Sequence, residues 1–197
     1  MTLSTRQQSG ILLSLALVMI GTRVNHFSAL PDASWALFFV GGFYLRDIAR
    51  LAFPALMALA VLVDWYVIRS SGLSFWDHYC VSAAYWFLLP AYLSLWLGGL
   101  WLHRQFGDTP LRNTGLLLAS FMVAVSACFL ISNGSFYWLS DSVGHPTLAG
   151  WSKNLGDWYL PYLYTAAIYV GIAAALHGLV MQFARSEAVA SARSTQR

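Results

Sequence analysis

Long stretches without charge are the feature that most constrains this chain. Aspartate, glutamate, lysine and arginine do not occur in residues 7–22, 33–45, 51–63, 78–103, 113–140 and 158–184. A helix needs about 20 consecutive apolar residues to span a bilayer. The last three stretches satisfy this length and the first is adequate. The stretch 33–45 is short, so we expect it to lie inside a helical bundle or to be completed by its flanks.

Composition agrees with a location in the membrane. Only 10% of the 197 residues are charged, whereas 58% are hydrophobic. A soluble domain carries about 25% charged residues. The chain is therefore predicted to be one transmembrane domain, residues 1–197, with the lipid bilayer as its surroundings. The net charge of +3 comes from basic residues scattered through short loops, which does not indicate a nucleic-acid partner.

The charge-free stretches predict an all-α integral membrane protein with six transmembrane helices. The expected bounds are 9–25, 33–47, 54–70, 75–103, 111–133 and 158–185. Pro54 is expected to separate the second helix from the third, and Pro90 to kink the fourth. Ser74 and Asp77 have the spacing of a capping box, which predicts that the fourth helix begins near Phe75.

The distribution of basic residues predicts the orientation. With six crossings, one side of the membrane receives Arg6, Arg46, Arg50, Arg104, Arg112, Arg185, Arg193 and Arg197, and the other receives Arg23, Arg69 and Lys153. Because cytoplasmic loops are enriched in Lys and Arg, both termini are expected in the cytoplasm. The polar tail, residues 186–197, is expected to be disordered there. A cleaved signal peptide is the alternative for the first helix, but no clear cleavage site follows it.

Cys80 is the leading candidate for chemistry. If the fourth helix begins near Phe75, the thiol lies in its second turn near the outer surface, with Ala83 and Ala84 on the same face. These small side chains leave room for a large flat ligand. A helix N-terminus favours the thiolate, although the effect falls off beyond the first turn. The alternative is that Cys80 is a small buried hydrophobe.

Several polar and aromatic residues are expected at the same depth as Cys80. Asp64 lies within an apolar region, where an acidic residue usually faces a bundle interior or a cavity; the alternative is an interfacial residue near a helix end. Tyr66 and Tyr85 are expected nearby. His78 is two positions from Cys80, which is about 200° around a helix, so the two side chains would not meet one ligand.

The remaining histidines and the second cysteine are weaker candidates. His26 and His145 fall in outer-side segments and could approach a pocket, whereas His103 and His177 fall toward the inner side. Each histidine alone is more often a hydrogen-bonded polar group than a ligand. Cys128 lies among apolar residues of the fifth helix, which predicts a packing role. A disulfide between the two cysteines is a further alternative, which nothing in the sequence favours.

The connection between the fifth and sixth helices, about 134–157, is long for a membrane bundle. It contains Phe136, Tyr137, Trp138 and Trp151. Long loops of this kind often act as lids over a site. The alternative is an aromatic belt at the membrane interface, where Trp and Tyr are enriched.

The chain resembles the BtuM family of cobalamin (vitamin B12) transporters, which are similar to the substrate-binding S-components of energy-coupling factor (ECF) transporters. The resemblance rests on the length, the six expected helices and the cytoplasmic ends. Its specific residues are Trp76-Asp-His-Tyr-Cys80 through Tyr85-Trp86. It implies an S-component-like bundle in the bacterial inner membrane, which takes up cobalamin from the periplasmic side. It also implies that Cys80 is the axial ligand of the corrin cobalt.

The chemistry of a thiolate agrees with this implied role. A thiolate is a soft, strongly donating ligand, and a corrin already supplies four ring nitrogens, so one axial partner is enough. Cobalamin would bind with its nucleotide base displaced, and Cys80 would then be the catalytic residue of any decyanation of cyanocobalamin. The candidate residues around the corrin are Tyr85, Asp64, Tyr66 and His26.

The resemblance also implies a partner, an ECF energising module. S-components carry two alanines four residues apart on the first helix. Gly10 and Ser14 only approximate this motif, so a transporter that works without the module is the alternative.

Two other classes of function stay open from the residues alone. One is a membrane thiol acyltransferase or hydrolase that uses Cys80 with a histidine and Asp64. The other is a haem- or quinone-binding protein, in which histidines would face each other across the bundle. The chain has no phosphate-binding loop and neither of the His-Glu-x-x-His and Gly-x-Ser-x-Gly motifs, which argues against ATP hydrolysis by the chain itself.

Overall fold

The computed structural model describes residues 3–24, 31–76, 78, 81–107 and 109–195. In these ranges the chain is all-helical, without β-strands, which confirms the expected fold class at that level. The α-helices are α1 (Thr5–Arg23), α2 (Ser34–Tyr44), α3 (Ala49–Ser70), α4 (Leu88–Gln105), α5 (Pro110–Leu139) and α6 (Leu148–Thr195). Two short 3₁₀ segments, Arg46–Ile48 and Ala83–Phe87, precede α3 and α4.

The described part of the chain contains four helical stretches that are long and apolar enough to cross a membrane. They are Arg46–Ser70, Ala83–Gln105, Pro110–Leu139 and Leu148–Ala184. The helix Ser34–Tyr44 is apolar but shorter than a membrane span. These lengths and compositions are those of a multi-pass membrane protein.

Successive helices run in alternating directions, which gives the bundle two ends. At one end, Arg46 donates a hydrogen bond from Nη1 to Nε2 of His103, in the last turn of α4. At the other end, Arg23 in the last turn of α1 binds Asp64 near the end of α3. We call these the Arg46 end and the Arg23 end.

Helix α2 occupies the centre of the bundle. Its residues Trp35, Ala36, Leu37, Phe38 and Phe39 are all buried. Five consecutive residues point in every direction around a helix, so neighbours must cover α2 on all sides. It does contact α1, α3, α4, α5 and α6. The prediction that this short apolar segment lies inside the bundle is confirmed.

Glycines bring α2 and α4 into backbone contact. A Cβ atom at Gly42 would collide with the carbonyl oxygen of Trp96, and one at Gly99 would collide with the carbonyl oxygen of Phe39. Small residues at a membrane helix interface permit this close approach. The two glycines therefore set the spacing of the α2–α4 pair at the core of the bundle.

The first three helices differ from their expected bounds. Helix α1 begins at Thr5 because a capping box precedes it, in which Ser4 and Gln7 each accept a backbone N–H of the other. Helix α3 begins at Ala49, so Pro54 lies inside α3 and does not separate it from α2. The 3₁₀ segment Arg46–Ile48 makes that separation.

The fourth helix begins later than the sequence predicted. Phe75 and Trp76 lie in a bend and a turn, and helical structure begins only at Ala83. The capping box expected at Ser74 is therefore wrong, and Asp77 lies outside the described residues. Pro90 is in the first turn of α4, where a proline removes no intrahelical hydrogen bond, so its expected position in the interior of the fourth helix is also wrong.

The connection between α5 and α6 is short. It covers residues 140–147, whereas about 134–157 was expected. The hydroxyl of Tyr137 donates to the carbonyl of Thr147 at 3.1 Å and accepts the N–H of Thr147 at 3.2 Å, which fixes both ends of the connection. The prediction of a long loop is wrong, because its aromatic residues lie on the two helices: Phe136, Tyr137 and Trp138 on α5, and Trp151 on α6.

Helix α6 is the longest element. It has 48 residues and contains Pro161. The tail at 186–197 was expected to be disordered, but it is helical up to Thr195, the last residue that the structure describes. At about 1.5 Å per residue, α6 is more than twice as long as the hydrocarbon core of a bilayer is thick, which is about 30 Å.

Candidate functional site

Arg23 is the centre of a buried polar cluster at the Arg23 end. Its Nε donates to Oδ1 of Asp64 at 2.6 Å, and its Nη2 donates to Oδ2 of the same residue at 2.7 Å. Its Nη1 donates to Asp32 at 2.9 Å, to the Ser34 hydroxyl at 2.9 Å and to the Tyr92 hydroxyl at 3.2 Å. Only 8% of the Arg23 side chain is exposed. Paired carboxylates and hydroxyls offset the cost of burying this charge.

Tyr85 joins the 3₁₀ segment that precedes α4 to this cluster. Its hydroxyl donates to Oδ2 of Asp64 at 2.8 Å. Tyr85 lies in the 3₁₀ segment Ala83–Phe87, which begins where the Ser82 hydroxyl accepts the N–H of Ala84 at 3.3 Å. We call Arg23, Asp32, Ser34, Asp64, Tyr85 and Tyr92 the Arg23 cluster. Through Tyr85, the cluster holds the 3₁₀ segment Ala83–Phe87 against α3.

A cavity of about 240 Å³ lies beside the Arg23 cluster. Aromatic and aliphatic side chains form most of its wall, and the polar residues that line it include Arg23 and Ser82. The lining residues are Arg23, Met57, Ala60, Val61, Phe75, Trp76, Val81, Ser82, Tyr85, Trp86, Leu88, Leu89 and Tyr92. We call it the Arg23-end cavity. An apolar and aromatic wall with few polar groups is typical of a small-molecule site.

The α3–α4 connection forms one side of this cavity. Phe75 and Trp76 line it before Cys80 in the chain, and Val81 and Ser82 line it after. Cys80 itself lies outside the described residues. The flanking backbone makes turns, with a hydrogen bond of 2.8 Å from the N–H of Val81 to the carbonyl of His78. Helical structure begins at Ala83 and not near Phe75, so the helix start from which the position of Cys80 was predicted is wrong.

The structure brings some of the predicted site residues together. Asp64 and Tyr85 meet in the Arg23 cluster, as the interior interpretation of Asp64 predicts. Tyr66 is 58% exposed on α3 and does not line the cavity. His26 lies outside the described residues. His145 is exposed in the α5–α6 connection, and His78 is partly buried without lining the cavity.

Cys128 is a buried structural thiol. Its side chain is fully buried in the hydrophobic core, within α5. It is a free cysteine, so the alternative of a disulfide with Cys80 is not realised. The predicted packing role of Cys128 is confirmed.

A larger cavity, of about 710 Å³, lies at the Arg46 end, far from the α3–α4 connection. Helices α2, α4, α5 and α6 surround it, and both His103 and His177 line it. The Phe43 ring packs between them, with centroid distances of 5.0 Å to His103 and 6.0 Å to His177. We call it the Arg46-end cavity.

Sequence reasoning missed the role of Arg23. It treated this residue as a loop charge that reports orientation, whereas Arg23 lies in the last turn of α1 and points into the bundle. The sequence did contain a signal for this role. Asp64 and Arg23 were both expected near the outer surface, and a carboxylate in an apolar stretch needs a cationic partner.

No protein-family model matches this chain, and no curated protein matches it in sequence. Within the described residues, no group of three or more His, Cys, Asp or Glu side chains is placed to hold a metal ion. The functional argument therefore rests on the Arg23-end cavity and the chemistry of its surroundings.

Proposed function

We propose that this protein binds cobalamin at the Arg23 end and carries it across the bacterial inner membrane. The observation that supports the proposal best is the position of Val81 and Ser82, which directly follow Cys80 and line the Arg23-end cavity. We propose that the Cys80 side chain reaches the same cavity. The family resemblance of Trp76 through Trp86 concerns the same segment.

Cys80 supplies the cobalt ligand in this proposal. Its thiolate donates an electron pair to the cobalt and displaces the nucleotide base, so the vitamin binds base-off. In cyanocobalamin, the strong sulfur donor weakens the cobalt–carbon bond on the opposite face. That bond breaks heterolytically, cyanide leaves with the electron pair and takes a proton from water, and the oxidation state of the cobalt is unchanged.

The aromatic wall suits the corrin ring. Phe75, Trp76 and Tyr85 offer flat apolar surfaces, and the ring contact between Phe75 and Tyr85 has a centroid distance of 6.0 Å. The Arg23 cluster supplies polar groups next to this wall. Asp64 accepts hydrogen bonds from both Arg23 and Tyr85, so it serves in this proposal to position Tyr85.

Binding requires the α3–α4 connection to move. Pockets for drug-sized ligands have volumes of about 300–1,000 Å³, and a corrinoid is larger than such ligands. The Arg23-end cavity has a volume of only about 240 Å³. We infer that the segment around Trp76, whose side chain is 77% exposed, swings outward to admit the vitamin.

The proposed orientation places the Arg23 end in the periplasm and both termini in the cytoplasm, with six crossings. Exposed arginines support it, because Arg6, Arg50, Arg104 and Arg112 are all at the Arg46 end. In this proposal α1 and α2 also cross the membrane, as parts of the bundle. Central burial of α2 compensates for its short length, since protein and not lipid surrounds it.

An ECF energising module is the proposed partner. Gly10 lies on an open face of α1, where an added Cβ would meet no other atom within 4 Å. Ser14, one turn later, donates to the carbonyl of Gly10 at 2.9 Å, which satisfies its hydroxyl within α1. This face allows another membrane helix to approach closely. Reconstituting the purified chain alone into vesicles, and measuring cobalamin uptake, tests whether the module is needed.

The absorption spectrum of bound cobalamin tests the proposed ligand. Protein purified in the presence of cobalamin is expected to carry corrin bands with a thiolate-ligated, base-off signature. Cys80→Ala is expected to lose this signature, whereas Cys128→Ala, the matched control, keeps it. An unchanged spectrum in Cys80→Ala contradicts the axial role. A Soret band indicates a haem protein instead, and colourless protein that reacts with an acyl substrate indicates a thiol enzyme.

A further inference from the structure

The Arg46-end cavity is large, and the proposed transport site does not use it. It has a volume of about 710 Å³, within the range of about 300–1,000 Å³ that is typical of ligand pockets. Its walls come from α2, α4, α5 and α6. The chemistry of these walls differs between the part near the centre of the bundle and the part near the Arg46 end.

The deep part of the cavity is apolar. Phe39 and Val40 of α2, Leu117 of α5, and Val170 and Ala174 of α6 line it. Along the chain, Phe39 and Val40 precede Arg46 by six or more residues, and Leu117 follows Pro110 by nearly two helical turns. A hydrocarbon chain is the kind of group that such a surface binds.

The rim of the cavity is polar and positively charged. Arg46 donates to Nε2 of His103, and the Tyr44 hydroxyl lies 2.7 Å from Nδ1 of His177. The Phe43 ring packs against both imidazoles, which limits their movement. Arg46 also pairs with Asp47 at 3.3 Å. Because 22% of the Arg46 side chain is exposed, its charge can still attract an anion at the rim.

Other basic residues surround the rim. Arg6, Arg50, Arg104 and Arg112 are exposed at the same end of the bundle. A concentration of arginines at one end of a membrane protein attracts anionic headgroups, and basic pockets between transmembrane helices bind them. Charge near the rim and an apolar interior therefore suit one molecule with an anionic head and a hydrocarbon tail.

We propose that the Arg46-end cavity binds an anionic phospholipid. The phosphate lies at the rim beside Arg46, and one acyl chain lies in the deep part between Leu117, Val170 and Ala174. A free phosphate has the same head chemistry, but it leaves the apolar part of the cavity unfilled. A zwitterionic phospholipid fills the apolar part, but its own cation offsets the attraction of the arginines.

Lipid titration of the full-length protein, followed by native mass spectrometry, tests the proposal. The probes are phosphatidylglycerol, phosphatidylcholine of the same chain length, and inorganic phosphate as a competitor. Phosphatidylglycerol is expected to bind most tightly, and phosphate is not expected to displace it. Arg46→Gln is expected to weaken phosphatidylglycerol binding at least about fivefold, which corresponds to the contribution of about 1 kcal/mol from one basic side chain near an anionic headgroup.

Two further variants separate the rim from the interior. Arg50→Gln removes a charge at the same end that does not line the cavity, so it is expected to change binding less than Arg46→Gln does. Ala174→Phe fills the apolar part and keeps every charge, so it is expected to reduce binding of phosphatidylglycerol even if Arg46→Gln does not fold. Equal binding of the two lipids, displacement by phosphate, or unchanged binding in Ala174→Phe each overturns the proposal.

Discussion

Arg23 on α1 and Asp64 on α3 are joined by two hydrogen bonds, of 2.6 and 2.7 Å, one to each carboxylate oxygen. This two-point geometry is the strong form of an arginine–carboxylate pair. The same guanidinium binds Asp32 at the start of α2 and Tyr92 on α4. One side chain thus connects four helices at the end of the bundle where we propose that the vitamin binds.

Removing the guanidinium is expected to destabilise the fold strongly. Arg23→Gln leaves the carboxylates of Asp32 and Asp64 largely buried without a cation, which costs about 3–5 kcal/mol for a buried pair. Unfolding of the purified protein by heat or denaturant in detergent measures the loss. Arg69→Gln is the control, because Arg69 is exposed on the last turn of α3. Its expected effect is within about 0.5 kcal/mol, and equal losses in the two variants contradict the role of Arg23.

The hydroxyl of Tyr85 is expected to contribute to stability, and that of Tyr66 is not. Tyr85→Phe removes a hydrogen bond of 2.8 Å to the carboxyl group of Asp64, which also pairs with Arg23, and bonds to charged groups contribute about 1.5–3 kcal/mol. Tyr66→Phe changes a residue that is 58% exposed on the same helix as Asp64. The same unfolding experiment compares the two. If Tyr66→Phe is the more destabilising variant, the assignment of Tyr85 to the cluster is wrong.

Methyl groups at the α2–α4 contact are expected to separate the two helices. Gly42→Ala and Gly99→Ala each place a Cβ against a carbonyl oxygen of the opposite helix, and overpacking of this kind costs about 1–3 kcal/mol or more. Gly115→Ala and Gly171→Ala are matched controls on α5 and α6, because their added Cβ atoms meet nothing within 4 Å. Helix propensity favours alanine over glycine by about 1 kcal/mol, so the controls are expected to be neutral or stabilising.

The two cysteines are expected to differ in reactivity. Cys128 is fully buried in α5, so a Cys80→Ala variant is expected to react with a polar maleimide only after unfolding. Labelling of the native and denatured protein, followed by mass measurement, gives the comparison. Rapid labelling of native Cys80→Ala contradicts the burial of Cys128.

Charge spacing predicted which segments of the chain are apolar helices better than it predicted where each helix begins. The stretch 78–103 is free of charge, and this led to one long helix from about residue 75. The structure places turns before Ala83, since Ser82 caps the 3₁₀ segment that precedes α4. A bend of this kind needs no charged residue, so the absence of charge could not locate the start of the helix.

The sequence indicated only part of the Arg23 cluster. Asp64 interrupts an apolar stretch, which correctly indicated an interior position. Arg23 ends the first apolar stretch, and it resembles the flanking arginines that mark helix ends. The choice between a flanking charge and an interior charge depends on which way the side chain points, and that is fixed by tertiary packing with Asp32 and Ser34.

The glycine contact between α2 and α4 also limits how the protein can change shape. Two helices whose backbones touch cannot slide or roll past each other without a steric clash, so α2 and α4 act as a static frame. In the transport cycle that we propose, rearrangements must then fall on the elements packed around that frame. The link from Tyr85 to Asp64 is a hydrogen bond and not an interlocked backbone, so the chain preceding α4 is better suited to be the moving part.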